Sequence, residues 1–161
     1  MNVVNFEDFD EDKFGKNKDE LTIVCVATHY EGDPCDNTKR FFNWVKRLKK
    51  NRDRTVFSDM GFTVFALGDT SYNLYNTVGL FFDKAFEELG GTRIYEKGEA
   101  DHCNYKSEDH FDAWKENLWH QICDHYMMMN PKKEIKKKAA KGQVAELPLK
   151  MTYLDGNDNV N

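Results

Sequence analysis

Apolar residues along the chain fall into three short runs that alternate with three longer, amphipathic stretches. Residues 21–27 and 62–67 are almost continuously apolar and rich in β-branched or aromatic side chains, and a shorter run covers residues 92–96. Short apolar runs of this kind are typical of strands that are buried on both faces of a parallel sheet. The pattern therefore predicts three strands that are neighbours in one sheet.

Each run is followed by a loop and then by apolar residues at helical spacing. These positions, in chain order, are Phe41, Phe42, Val45 and Leu48; Val78, Phe81, Phe82, Ala85, Phe86 and Leu89; and Phe111, Trp114, Leu118 and Ile122. Gly90 and Gly91 end the second stretch, where a left-handed helix cap is expected. Strands and helices in alternation predict an α/β fold, a doubly wound parallel sheet with helices on both faces.

Composition divides the chain into three parts. Residues 1–20 are acidic and irregular, and they form a lead-in segment to the predicted domain at residues 21–127. Residues 128–161 are polar, and six lysines lie between positions 132 and 141. A charge run of this kind is usually a solvated linker, so we interpret residues 128–161 as a Lys-rich tail.

Charge and cysteine content narrow the class of partner and the compartment. The formal net charge is −5, which argues against nucleic acid or an anionic membrane as the main partner and is compatible with a basic protein partner. No apolar run is long enough to span a bilayer. The four cysteines show no CxxC spacing, which favours free thiols in a reducing compartment such as the cytoplasm.

Three loops carry the candidate chemistry, at residues 28–37, 67–76 and 97–104. Ligands of open parallel sheets bind at the carboxyl ends of the strands, where these loops are expected to meet. Their aromatic rings, glycines and carboxylates suit a flat aromatic ligand stacked on Tyr72, with His29 or Tyr30 on its opposite face. No metal site and no nucleophilic catalytic group is predicted.

The loops resemble those of the flavodoxin-like, FMN-binding domains of diflavin reductases, and most of all those of NADPH–haemoprotein reductases. Residues 27–37 match the family pattern Ala-Thr-Tyr-Gly-Glu-Gly-Asp-Pro-Thr-Asp-Asn at eight of eleven positions. Residues 65–76 resemble Phe-Gly-Leu-Gly-Asn-x-x-Tyr-x-x-Phe-Asn, and residues 97–104 resemble a Gly-x-Gly-Asp-Asp loop. The resemblance covers residues 21–123, about two-thirds of the chain.

This resemblance implies an FMN site and a role in electron transfer. The implied cofactor-binding residues are Thr28, His29, Tyr30, Gly32, Leu67, Gly68, Asp69, Tyr72, Asn76 and Asp101. Tyr72 would stack on the flavin, and the carboxylate of Asp101 would lower its reduction potential. The implied partners are a module that binds FAD and NADPH and a basic haem protein that accepts electrons. The implied location is the cytoplasm, or the cytosolic face of the endoplasmic reticulum where a parent protein carries an anchor.

The chain also departs from the family pattern. His29 and Tyr30 replace Tyr-Gly, and Asp69 replaces an asparagine. The family's first strand, followed by a Ser/Thr-Gly-rich loop that binds the FMN phosphate at a helix N-terminus, has no counterpart before Leu21. The sequence therefore predicts a domain truncated at both ends, with weak or no FMN binding by itself and no NADPH oxidation. A flavin-free interaction module of the same fold and an inactive fragment remain as alternatives.

Overall fold

A parallel sheet with helices on both faces forms the protein, in a computed structural model that describes residues 3–104 and 106–129. The elements in chain order are β1 (Leu21–Ala27), α1 (Lys39–Asn51), β2 (Gly61–Gly68), α2 (Thr77–Glu88), β3 (Thr92–Arg93), β4 (Gly98–Asp101) and α3 (Ser107–Met129). The predicted α/β class and the order of strands and helices are confirmed. Residues 130–161 of the predicted tail lie outside the described residues.

Strand β2 lies in the middle of the sheet. On one side it pairs in parallel with β1 over its full length, from Leu21 opposite Gly61 to Ala27 opposite Leu67. On the other side it pairs in parallel first with β3 and then with β4. Strand β1 therefore lies at one edge of the sheet among the described residues.

The predicted strand at residues 92–96 is wrong in its extent. Pairing stops after Arg93 and resumes at Gly98, so residues 98–101, which were predicted to be loop, form β4. The Thr63 hydroxyl of β2 donates a hydrogen bond to the Tyr95 carbonyl at 3.1 Å, in the gap between the two paired segments. Gly98 can lie close to β2 because it has no side chain. A Cβ atom there would collide with the rings of Phe65 and Trp114.

A cluster of aromatic side chains forms the core between the sheet and helices α1 and α2. Phe62 and Val64 point into it from β2, and Phe41, Phe82 and Phe86 point into it from the helices, all fully buried. Three rings from the irregular lead-in segment, Phe6, Phe9 and Phe14, pack on the same cluster. Those residues thus add to the core although they precede the first strand.

Helix α3 covers the opposite face of the sheet. Phe65 of β2 packs there against Phe111 and Trp114, each with ring centroids 5.0 Å away. The helix extends well past the predicted apolar stripe. None of the described helices is both long enough and apolar enough to cross a membrane.

The prediction that β1 is buried on both faces is wrong. Val24 and Val26 are buried against α1 and α2, whereas Ile23 and Cys25, on the α3 face, are exposed. Helix α3 packs over β2 and β4 instead, so in the described part of the chain this face of β1 is uncovered.

The predicted left-handed cap after α2 is confirmed. Gly90 has φ of +100°, and its N–H donates to the Glu87 carbonyl at 3.1 Å. A side chain at this position would also collide with the carbonyl oxygen of Arg54. Glycine avoids both the strain and the collision, which lets the chain turn directly into β3.

Candidate functional site

The loops that follow β1 and β2 are joined at the carboxyl edge of the sheet. Thr28 continues the β1 ladder, since its N–H donates to the Leu67 carbonyl at 2.9 Å. Its hydroxyl oxygen accepts a hydrogen bond of 3.2 Å from the N–H of Val78, in the first turn of α2. This one residue therefore fixes the start of the first loop against both β2 and α2.

The first loop folds back on itself in a tight turn. The N–H of His29 donates to the Asp33 carbonyl at 2.9 Å, and the N–H of Gly32 donates to the His29 carbonyl at 2.8 Å. Gly32 has φ of +80°, and a Cβ atom there would collide with Leu74 of the second loop. The Thr77 hydroxyl closes the arrangement by donating to the Gly32 carbonyl at 3.0 Å.

The two loops bring Tyr30 and Tyr72 into contact. Their ring centroids are 5.1 Å apart at an interplanar angle of 47°, and the ring of His29 lies 4.4 Å from that of Tyr30. Tyr30 is 62% exposed and Tyr72 is 41% exposed. A flat ligand between the two rings needs a ring-to-ring distance of about 7–8 Å, which is twice the usual contact distance. The rings of Tyr30 and Tyr72 would therefore have to separate by about 2–3 Å. The pair is an aromatic surface that opens to solvent.

Asp69, predicted as a ligand contact, shapes the second loop. One of its carboxylate oxygens accepts hydrogen bonds from the N–H of Ser71 at 2.8 Å and from the Ser71 hydroxyl at 2.5 Å. Its carbonyl accepts from the N–H of Tyr72 at 3.1 Å. This local turn, common for aspartate, positions Tyr72 at the tip of the loop.

Gly68 and Asn76 form a close contact at the base of the second loop. Asn76 is fully buried, has φ of 54° and immediately precedes α2. A Cβ atom at Gly68 would overlap the Asn76 side-chain oxygen, so glycine is required there. That oxygen, Oδ1, has no hydrogen-bond partner among the residues that the structure describes. A buried acceptor without a donor is costly, and it suits a ligand that brings an N–H group to this edge.

Asp101, the last residue of β4, connects that strand to the second loop. Its carboxylate accepts hydrogen bonds from the N–H and the hydroxyl of Thr70, at 2.9 and 2.7 Å, and from the N–H of Cys103 at 3.0 Å. The bonds from Thr70 first, and that from Cys103, hold the pKa of Asp101 below its usual value. Asp101 is therefore a fixed negative charge at neutral pH.

The surroundings of the site are acidic. Burial first, and then the nearby carboxylates of Glu99 and Asp101, raise the pKa of Tyr75. Two lysines near these loops are paired with carboxylates: Lys39 with Asp36 at 2.6 Å, and Lys97 with Glu99. The described residues thus suit an uncharged planar ring and offer no comparable arrangement for a phosphate dianion.

The structure brings together all ten residues predicted for the site, at one edge of the sheet. Sequence reasoning did not single out Thr70 and Thr77, whose hydroxyls connect the second loop to Asp101 and to Gly32. It also missed His110, whose ring nitrogen Nδ1 accepts from the N–H of Asp101 at 3.3 Å. Threonine next to a Gly-Asp turn was the available signal, because such hydroxyls commonly bond to nearby loop groups.

Comparisons with known proteins agree with this geometry. The NADPH–cytochrome P450 reductase of Dictyostelium discoideum is 37% identical over 75% of the chain, and that of Homo sapiens is 37% identical over 66%. The chain spans less than a fifth of the length of these relatives, 18% and 15%. A flavodoxin from Pseudomonas aeruginosa, solved as a point mutant, matches with a TM-score of 0.51 at 19% identity, over 62% of this chain and 64% of that one.

The family model for flavodoxin matches residues 1–114, well over half of the chain. Its extent agrees with the open parallel sheet, with the loops at the carboxyl edge and with the packing of the lead-in segment on the core. The chain therefore belongs to the flavodoxin family.

Proposed function

We propose that the chain is an FMN-binding electron-transfer domain whose flavin site lies at Tyr30 and Tyr72. The observation that supports this most directly is the exposed aromatic pair held at the carboxyl edge by two mutually bonded loops. Membership of the flavodoxin family gives the pair a matching ligand. FMN, when bound, supplies a ring system that accepts and releases electrons.

The remaining site residues would orient the ring. Tyr72 offers a stacking face, and the backbone of Leu67 and Gly68 can approach the ring edge because Gly68 has no side chain. The unpartnered Oδ1 of Asn76 offers an acceptor for an N–H group. The ionised Asp101 places a negative charge near this edge. Thr28, His29, Gly32 and Asp69 build the loops that carry these groups.

We further propose that the chain acts as part of an NADPH–haemoprotein reductase. In such an enzyme an FAD- and NADPH-binding module supplies electrons and a basic haem protein accepts them. The names of its relatives and the small share of their length that the chain spans support this proposal. The carboxylates beside the site provide charge complementary to a basic partner. The cytosol, or the cytosolic face of the endoplasmic reticulum, is the location consistent with these partners.

A second candidate is a flavin-free interaction module of the same fold. Two observations favour it: Tyr30 and Tyr72 already contact each other, and the described site is acidic, which disfavours a negatively charged ligand. In that case the aromatic pair and the carboxylates would form a protein-binding surface. Flavin titration separates the two candidates.

Replacing Tyr72 with alanine is expected to weaken FMN binding in an extended chain. In that chain a strand, a phosphate-binding loop and a helix of the flavodoxin-family pattern are joined before Met1. Loss of the stacking face removes about 0.5–1.5 kcal/mol beyond the apolar area, a decrease in affinity of roughly 3- to 10-fold or more. Tyr72→Phe keeps the ring and is the matched control, with near-normal affinity expected. Fluorescence titration gives both constants, and equal affinity of all three proteins would contradict the proposed site.

Replacing Asp101 with asparagine is expected to raise the reduction potential of FMN bound to the extended chain. The substitution removes a fixed charge and keeps an oxygen that can accept from Thr70 and Cys103. At a separation of about 6 Å and an effective dielectric of about 20, the lost repulsion corresponds to roughly 100 mV, and less where water enters. Redox titration measures it. Asp53→Asn removes another hydrogen-bonded carboxylate, outside the site, and is expected to leave the potential unchanged.

A further inference from the structure

The carboxyl-terminal end of α1 and the loop that follows it form a strongly basic surface. Six of the nine residues from 46 to 54 are lysine or arginine, and Asp53 is the only acidic residue among them. Five of the six are exposed, namely Lys46, Arg47, Lys50, Arg52 and Arg54. None of these five forms an ion pair with a described residue, whereas the sixth, Lys49, pairs with Glu88 at 3.0 Å. In a chain with a net charge of −5, this basic surface is a local and uncompensated concentration of positive charge.

The stability of α1 does not account for the basic surface. Lys49 and Lys50 lie in the last turn, where cations complement the negative end of the helix dipole. The remaining cations add repulsion, because Lys46 and Lys50 are four residues apart and lie on the same side of the helix. Binding of an anionic partner would relieve this repulsion.

Arg52 carries its charge at a position that favours glycine. It ends α1 with φ of 56° and ψ of 22°, in the left-handed region, and its N–H donates to the Lys49 carbonyl at 3.1 Å. Glycine or asparagine usually occupies such a position, because other side chains are strained there. Among the described residues, Asn76 of the candidate flavin site is the only other non-glycine residue with a positive φ. Strained residues concentrate at functional sites, so an arginine at this position points to a role for its guanidinium group.

The loop after α1 holds its arginines on an ordered backbone. The Asp53 carboxylate accepts hydrogen bonds from the N–H and the hydroxyl of Thr55, at 2.9 and 2.6 Å. The N–H of Phe57, whose ring is fully buried, donates to the Leu89 carbonyl at 2.9 Å. Between the ends of α1 and α2 lies a cleft of about 290 Å³, lined by Lys49, Arg52, Arg54, Glu88 and Leu89. Because the backbone is already ordered, less freedom is lost when a ligand binds to these cations.

The basic surface lies at the opposite end of the sheet from Tyr30 and Tyr72. Helix α1 begins near the carboxyl edge, and its 13 residues run back about 20 Å toward the amino edge, where β2 begins. Salt screens exposed charges that are more than about 8–10 Å apart. The carboxylates beside the candidate site therefore do not neutralise the basic surface, and a ligand bound there leaves the carboxyl edge open.

We propose that the basic surface binds an acidic segment of a partner protein, whose carboxylates contact Arg52, Arg54 and the lysines at the end of α1. The planar guanidinium groups suit carboxylates, which they can bind through two parallel hydrogen bonds. A short acidic segment meets only positive charge, whereas a bilayer or a nucleic acid would also extend over the negative remainder of the chain. Among the described residues, the exposed large apolar side chains all lie outside the basic surface, so none is available there for insertion into a bilayer.

Titration with a decaglutamate peptide, followed by NMR through the amide chemical shifts, tests this proposal without any flavin. Its result is therefore independent of the proposed function. The amides of residues 46–54 are expected to shift together and to saturate, with an affinity that falls as salt is added, while those of Tyr30 and Tyr72 stay unchanged. The residue-resolved signals also separate this surface from the lysines at residues 132–141.

Absence of shifts in residues 46–54 at millimolar peptide would overturn the proposal, and so would shifts confined to residues 132–141. Vesicles that contain phosphatidylserine provide the second source of negative charge, and their binding is measured by co-sedimentation. Binding of the chain to these vesicles without binding of the peptide would assign the basic surface to a membrane instead.

Two charge-matched variants locate the contact. Arg54→Glu and Lys106→Glu change the net charge equally, but Lys106 is an exposed residue just before α3, at the other end of the sheet. Arg54→Glu is expected to weaken peptide binding about tenfold or more, and Lys106→Glu less than about twofold, because only the first turns an attraction into a repulsion at the contact. Equal losses would show that binding depends on net charge alone and would overturn the proposal.

Arg52→Gly separates binding from folding. Glycine adopts the left-handed conformation without strain, so the midpoint of thermal unfolding is expected to rise while peptide binding weakens. A purely structural role for Arg52 would not produce these opposite changes. Unchanged peptide affinity in Arg52→Gly would overturn the proposed contact with this residue, whatever the midpoint of unfolding.

Discussion

FMN is expected to bind the chain by itself about 10³- to 10⁴-fold more weakly than it binds the extended chain. The first 20 residues contain one glycine, no serine or threonine and ten charged side chains, so they do not supply a phosphate loop. The three described loops carry the carboxylates of Asp69 and Asp101, which repel a phosphate dianion. Charge-assisted hydrogen bonds contribute about 1.5–3 kcal/mol each, and loss of two or three costs about 5 kcal/mol.

Riboflavin is the matched control for this measurement because it has the same ring and lacks the phosphate. Its affinity is expected to differ much less between the two proteins, so the FMN-to-riboflavin ratio isolates the phosphate contribution. Fluorescence quenching or calorimetry gives the four dissociation constants. Micromolar or tighter binding of FMN to the chain by itself would show that the described residues already hold the phosphate.

Phe86→Ala is expected to lower the free energy of unfolding by about 3–5 kcal/mol. Phe86 is fully buried, and its ring contacts those of Phe57, Phe62 and Phe82 with centroids 5.4–5.6 Å away. The substitution would leave a cavity between α2 and β2, since rings held by several elements cannot all move inward. Because domains of this size are stable by only about 5–15 kcal/mol, the midpoint of urea unfolding should fall markedly.

Phe81 provides the control on the same helix. It is partly buried, packs mainly on Phe42 at 4.4 Å and lies at the rim of the core. Phe81→Ala is therefore expected to cost clearly less than Phe86→Ala in the same assay. Equal losses for the two variants would contradict the assignment of the core to the α1 and α2 face of the sheet.

Local sequence pattern predicted the elements whose signals are long and periodic. The runs at residues 21–27 and 62–67 became β1 and β2, and the three amphipathic stretches became α1, α2 and α3, with boundaries shifted by one or two residues except at the end of α3. Gly90 ended α2 as expected, because a positive φ is easily adopted only by glycine. These features depend on residues a few positions apart.

The candidate site was predictable in place and composition, and its internal contacts were not. The order of strands and helices located Thr28, Gly68 and Asp101 at one edge of the sheet, since parallel strands all end there. That Asp69 and Asp101 accept hydrogen bonds from loop residues, and that Tyr30 touches Tyr72, follows from how two separate loops meet. The role of each site residue in binding a flavin stays a prediction.

The sequence by itself determined the alternation of strands and helices, the parallel class of the sheet and the edge at which the chemistry collects. Tertiary structure decided that Gly98–Asp101 is a strand, because these residues pair with β2 where only glycine fits between the rings of Phe65 and Trp114. It also decided that one face of β1 is open, although its run of apolar residues is typical of a strand covered on both faces. Burial depends on which helix packs over a strand, and that is a property of distant segments.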